Sequence, residues 1–111
     1  MSLVSVAKIA DIPAGHTLKV KGEGVDIMLA NAGGKVYALA DRCPHMGGSL
    51  SGGTLEGTTI KCPNHGAIFD LTTGKNLVEA KILFLKMKVK DAKSYAVEVK
   101  GSEVFVELPD V

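Results

Sequence analysis

Two short clusters constrain this chain more than any other feature. Cys43-Pro-His45 and Cys62-Pro-Asn-His65 stand sixteen residues apart and gather both cysteines and two of the three histidines into 23 residues. Pro44 and Pro63 stiffen the two segments by fixing φ. Gly47, Gly48 and Gly66 let the backbone come close to whatever is bound. Two cysteines in a chain of this length can form a disulfide, lie buried as thiols or ligate a metal; the histidine beside each one favours the metal. Zinc takes two Cys and two His in one tetrahedron, so a structural zinc domain is one reading. Zinc sites usually pair Cys with Cys and His with His, whereas each pair here is mixed. Residues two apart in an extended segment lie roughly 6–7 Å apart. That spacing suits two neighbouring metal atoms better than one, as in a diiron–disulfide cluster with two thiolates on one iron and two imidazoles on the other.

The rest of the chain reads as all-β. Val25, Ile27 and Leu29 form an apolar stripe, Asn31 to Gly34 a turn, and Lys35 to Ala40 a return strand. Leu85, Met87 and Val89 alternate with lysines, Tyr95, Val97 and Val99 follow, and Val104, Val106 and Leu108 complete three strands, each with one apolar face. Asp91 to Ser94 and Lys100 to Ser102 are the turns between them. Lys86, Lys88 and Lys90 are expected beside Glu98 and Glu107 as modest cross-strand charge pairs. Six of the 13 glycines lie between Gly47 and Gly66, which predicts loops and tight turns there. Ala7 to Ala14 holds at most a short turn ending at Pro13. The expected architecture is one domain over 1–111: a small antiparallel β-sandwich or barrel carrying an inserted two-loop, cluster-binding subdomain at about 41–74.

Composition sets the exclusions. A net charge of +1 argues for neither nucleic acid nor a membrane surface as a partner. No apolar run approaches the roughly 20 residues of a membrane helix. The segment MSLVSVAKIADIPAG has no basic region leading into a long apolar stretch, so no signal peptide is read and a cytoplasmic location is expected.

At these residues the chain resembles the Rieske ferredoxins, whose hallmark is Cys-x-His, about sixteen or seventeen residues, then Cys-x-x-His. Cys43-Pro-His45 and Cys62-Pro-Asn-His65-Gly66 match it, and Phe69-Asp70-Leu-Thr-Thr-Gly74 matches its flank. The likeness is strongest over 38–75, and the strands on either side fit the family's β architecture. It implies one [2Fe–2S] cluster per chain, with Cys43 and Cys62 on the inner iron and His45 and His65 on the outer iron near the surface. Replacing two thiolates by neutral imidazoles leaves the oxidised centre formally neutral and lifts its potential from roughly −400 mV toward roughly −150 to +300 mV. The outer histidines can also couple protonation to redox state.

Departures place the chain within that family. The respiratory branch carries an extra cysteine in each loop; here Gly48 and Asn64 occupy those positions, so no such disulfide forms. Where that branch offers a Ser and a Tyr as hydrogen-bond donors to sulfur, this chain has Ala67 and Phe69. Fewer donors stabilise the reduced state less, so a potential near the low end of the range is expected. Phe69 also reads as a core aromatic at a strand start. The family's proline-rich third loop corresponds to Asn76–Ile82, which has no proline. His16, the remaining histidine, reads as an exposed loop residue. Met46 reads as an apolar shield beside His45, Arg42 and Lys61 as solvated side chains or guides for an acidic partner, and Asp41 and Asp70 as acceptors for loop amides.

No dinucleotide fingerprint is present, and one spare histidine cannot complete the two-His, one-carboxylate iron of the large oxygenase subunits. No catalytic residue is assigned. The resemblance implies a one-electron carrier that takes electrons from a flavin reductase and passes them to an oxygenase or another redox enzyme. The competing assignment is the Rieske-like small subunit of a larger oxidoreductase such as nitrite reductase, many of which lack the ligands that this chain retains.

Overall fold

The structure is a computed structural model and describes residues 2–42, 49–63, 66–82, 85–87 and 90–108. Its described strands are β1 (Ser2–Lys8), β2 (Thr17–Gly22), β3 (Val25–Ala32), β4 (Lys35–Ala40), β5 (Thr54–Glu56), β6 (Thr59–Lys61), β7 (Ile68–Asp70), β8 (Asn76–Val78), β9 (Ala80–Ile82), β10 (Leu85–Met87), β11 (Ser94–Tyr95), β12 (Val97–Lys100) and β13 (Glu103–Leu108). Short 3-10 turns at Ile9–Asp11 and Leu50–Gly52 accompany them. The described strand ladders are antiparallel. The expected all-β, antiparallel architecture is therefore what the chain adopts, and the short turn expected within Ala7 to Ala14 is the first 3-10 turn.

The centre is the sheet ordered β11-β4-β3-β2. Its hairpins close through Glu23-Gly24 and Gly33-Gly34, all four residues at positive φ, as two-residue turns matching the twist of paired strands require. Both faces of this sheet are covered. Ile27, Leu29, Val36 and Ala38 pack with Val104, Val106 and Leu108 of the β1-β13-β12 sheet. Met28, Ala30 and Leu39 pack with Ile60, Phe69 and Leu71, from the β5-β6-β7-β8 sheet and the turn after β7. Burial of β3 on both sides turns the expected single stripe into an unbroken buried run from Ile27 to Asn31.

Three expectations are corrected. The glycine-rich stretch is not loops alone, because it holds β5 and β6, and β6 pairs onward with β7. The segment expected as one strand around Tyr95 to Val99 changes sheets at Ala96: Tyr95 pairs with Ala38, whereas Val97 pairs with Val106. Among the described residues β10 pairs with β9, which sets Lys86 across from Lys81, rather than with the strands that carry Glu98 and Glu107. Glu98 instead lies 3.8 Å from Lys100 on its own strand, where both side chains are more than half exposed and the pair contributes little. Lys88 and Val89 lie outside the described residues.

Candidate metal centre

Each cluster loop has a closed base. The first leaves β4 at Ala40. Asp41 is buried, and its N–H donates to Asp26 O at 3.1 Å. Arg42 and Ser49 form an antiparallel bridge, and Leu50 N–H donates to Asp41 O at 2.6 Å, so the chain is pinned together on either side of the first segment. The second loop leaves β6 at Lys61. Cys62 N–H donates to Ala67 O at 2.7 Å, which ties the two ends of the 62–67 segment together; Gly66 takes φ +75°.

The two bases adjoin. The 3-10 turn after the first loop runs into β5, whose first residue, Thr54, pairs with Lys61, the residue before Cys62. Gly53 makes this approach possible: a Cβ there would collide with the Lys61 carbonyl and lie 3.1 Å from Leu50 O. Leu50, Cys62, Ala67 and Phe69 belong to one buried cluster. Cys62 is only 2% exposed, so its thiol lies against an apolar wall that keeps water away.

Of the four expected ligands, the structure therefore positions Cys62 as a buried thiol at a loop base. Cys43, His45 and His65 lie outside the described residues, as do Met46, Gly47, Gly48 and Asn64. What the described residues test is the frame. A buried cysteine sulfur, two adjoining loop bases pinned by hydrogen bonds and an apolar floor fit a cluster held between the two segments. Ala67 and Phe69 are fully buried and bring no hydroxyl to that floor. Arg42 and Lys61 are both exposed at the loop bases, and His16 is an exposed loop residue.

The acidic residues act on backbone as expected. Asp41 Oδ1 accepts from Ser51 N–H at 2.8 Å. Asp70 Oδ1 accepts from the Thr72 hydroxyl at 2.7 Å and from Thr72 N–H at 2.8 Å. These bonds, the hydroxyl's first, hold the Asp70 carboxyl below its ordinary range. Sequence reasoning does not single out Ser49, Ser51 or Lys19, which also bind Asp41, or the close approach at Gly53. The only available signal was the pair of serines flanking Leu50, and its meaning depends on partners distant in sequence.

The fold and the two-loop frame define an iron–sulfur electron-transfer domain. The chain matches the Rieske [2Fe–2S] domain over residues 2–81 and belongs to that family. It is thus a Rieske ferredoxin: it binds a [2Fe–2S] cluster and carries electrons rather than catalysing a reaction. It is 38% identical over 112 residues to the 3-phenylpropionate/cinnamic acid dioxygenase ferredoxin subunit of Shigella boydii serotype 4, covering 99% of this chain and 97% of that one. Among solved structures it is similar to the ferredoxin of carbazole 1,9a-dioxygenase from Nocardioides aromaticivorans IC177, with TM-score 0.80 and 28% identity over 96% of this chain and 97% of that chain. It is also similar to a chain in a complex of reduced oxygenase and oxidized ferredoxin of carbazole 1,9a-dioxygenase, with TM-score 0.76 and 31% identity over 94% and 91% of the two chains.

Proposed function

We propose that Cys43, His45, Cys62 and His65 hold the cluster, and that the chain passes single electrons from a flavin reductase to the oxygenase component of a dioxygenase. The observation that carries the ligand assignment is Cys62, buried at the base of one stapled loop whose neighbour contains Cys43 and His45. When bound, a cluster of this ligation accepts and returns one electron at a potential raised by its neutral imidazoles. The protein's own part is to bury the thiolate side, exclude water from it and fix the two loops against each other. The acceptor class rests on the relative and the solved structures, which are named as dioxygenase ferredoxins. We place the protein in the cytoplasm, as one domain over 1–111 with a cluster-binding subdomain at about 41–74. Among the described residues no helix is long and apolar enough to cross a membrane.

Iron and acid-labile sulfide analysis with EPR of the dithionite-reduced protein tests the ligand set. Two irons, two sulfides and a Rieske-type spectrum are expected for each chain. Zinc without iron or sulfide overturns the assignment. His65→Cys should move the spectrum toward the four-thiolate type; an unchanged spectrum removes His65 from the ligand set. Mixing the reduced protein with a dioxygenase oxygenase component under single-turnover conditions tests the acceptor.

A further inference from the structure

We infer that Asp41 is a positioning residue for the cluster: its buried carboxylate knots the exit of the first loop to β2 and so fixes where the 43–48 segment begins and ends. The inference rests on the ligand assignment proposed above.

A carboxylate only 2% exposed is costly unless its oxygens are satisfied. Both oxygens of Asp41 are. Oδ2 accepts from Ser49 Oγ–H at 2.6 Å and lies 3.6 Å from Lys19 Nζ. Oδ1 accepts from Ser51 N–H at 2.8 Å. The knot extends further: Ser49 Oγ and Ser51 Oγ are 2.8 Å apart, and Ser51 O accepts from Thr17 Oγ1 at 2.8 Å. Thr17 and Lys19 are two apart on β2, so they share one face of the sheet. They pair with Ala30 and Met28, both of which pack toward the β5–β8 side. Asp41 thus joins three parts of the chain: its own position two residues before Cys43, the return of the first loop at Ser49 and Ser51, and the rigid central sheet.

This arrangement is more than a fold contact because of what it encloses. The Asp41 backbone also accepts from Leu50 N–H, and Arg42 bridges to Ser49, so side-chain and backbone bonds clamp the same opening. Loss of the carboxylate leaves Ser51 N–H without its acceptor and Ser49 Oγ with Ser51 Oγ alone, so the stem is held only by its backbone bonds and is less firmly fixed relative to β6 and Cys62. Partners that orient metal ligands from outside the ligand set typically change metal affinity about 10- to 100-fold when removed. Lys19 is half exposed, so the knot's strength resides in the two serine bonds.

The test compares holoprotein of Asp41→Ala, Asp41→Asn and Ser49→Ala with Asn31→Ala. Asn31 is a buried residue four positions beyond Ile27 on β3; its amide bonds Ile12 O and Gly34 N–H, so its loss destabilises the fold away from the loops. The readouts are the half-life of the visible absorbance in excess iron chelator at 25 °C, the EPR g values and the melting temperature. Asp41→Ala should shorten the half-life by about tenfold or more and shift the g values. Ser49→Ala, at an exposed position that leaves the core intact, should shorten it by about 2- to 10-fold, the worth of one hydrogen bond. Asp41→Asn keeps an acceptor for Ser51 and should restore most of the lifetime. Asn31→Ala should lower the melting temperature with lifetime and g values unchanged. Wild-type lifetime and g values in both Asp41→Ala and Ser49→Ala overturn the inference, as does equal lability in Asn31→Ala. If Asp41→Ala does not fold, Ser49→Ala decides alone. Lability of Asp41→Asn equal to that of Asp41→Ala overturns the geometric basis. A wild type without a Rieske signal instead removes the ligand assignment.

Discussion

Gly53→Ala isolates the close approach that sets the two loops side by side. Gly53 has φ −83° and ψ −172°, extended backbone that alanine adopts freely, so no dihedral strain accompanies the change. The obstacle is space. A Cβ would overlap the Lys61 carbonyl oxygen while lying 3.1 Å from both the Lys61 carbonyl carbon and Leu50 O. These are backbone atoms, which cannot rotate away as a side chain can, so β6 must move relative to the 3-10 turn. Overpacking that forces backbone shifts costs about 1–3 kcal/mol. Replacing glycine returns about 0.4–1 kcal/mol by restricting the unfolded chain. The middle of these ranges is a net loss of roughly 1.3 kcal/mol, and at about 4–8 °C per kcal/mol for a small domain the melting temperature should fall by roughly 5–10 °C. Gly52→Ala is the matched control, because a Cβ there meets nothing within 4 Å; it should keep the unfolded-chain gain and be as stable as wild type or up to about 1 kcal/mol more so. Thermal unfolding followed by far-UV circular dichroism, with cluster absorbance recorded in the same scans, reads both. Since Thr54 pairs with Lys61 directly before Cys62, Gly53→Ala should also shed the cluster faster in chelator. Equal melting temperatures for the two alanine variants would refute the reasoning.

Further outcomes follow from other parts of the structure. Phe69→Ala empties the centre of the core under the loops and should cost about 3–5 kcal/mol, read as a lower denaturant midpoint at unchanged slope; a loss below about 1 kcal/mol would show that the site collapses without penalty. The redox midpoint should fall at the low end of the Rieske range, roughly −150 mV, because buried Ala67 and Phe69 offer no hydroxyl; a value well above zero in a redox titration refutes this. Thr72→Val removes the hydroxyl bond to Asp70 and should return that carboxyl toward its ordinary value, seen by NMR titration. Because the folded-state value is depressed, this contribution to stability is present above the unfolded-state pKa and is lost as pH falls through the folded one. Wild type and Thr72→Val should therefore converge in stability in strong acid, and a gap that persists there contradicts the assignment. Burial raises the Tyr95 phenol, so its ultraviolet titration should run above the ordinary tyrosine midpoint; a titration at or below that midpoint contradicts the burial.

What could be read from the chain in advance follows from how local each determinant is. The proposed ligand set is local chemistry: few residue types bind iron, so Cys43, His45, Cys62 and His65 stand out in the sequence whatever the fold. The alternation of Val104, Val106 and Leu108 is also local, and those three residues are buried. Alternation fails where tertiary context intervenes. β3 has lost its period because sheets cover both of its faces, and Ala96 carries no mark of the change of sheet that splits β11 from β12. β5 and β6 are three residues each, too short for a period to emerge among glycines that sequence reasoning reads as turns. Lys86 of β10 stands across from Lys81 rather than a glutamate because pairing with β9 decides which residues meet. The frame of the site belongs to this second kind. Asp41 reaches Ser51 ten residues away, Thr17 reaches Ser51 across 34, and Gly53 meets Lys61 only because β5 folds back on β6. None of these contacts has a pattern of its own in the sequence. In a protein of this design, the proposed ligands are therefore legible as motif, while the bonds that pin the segments around them must be read from the folded chain. Substitutions at Asp41, Ser49 or Gly53 can disturb the cluster while leaving every motif residue in place.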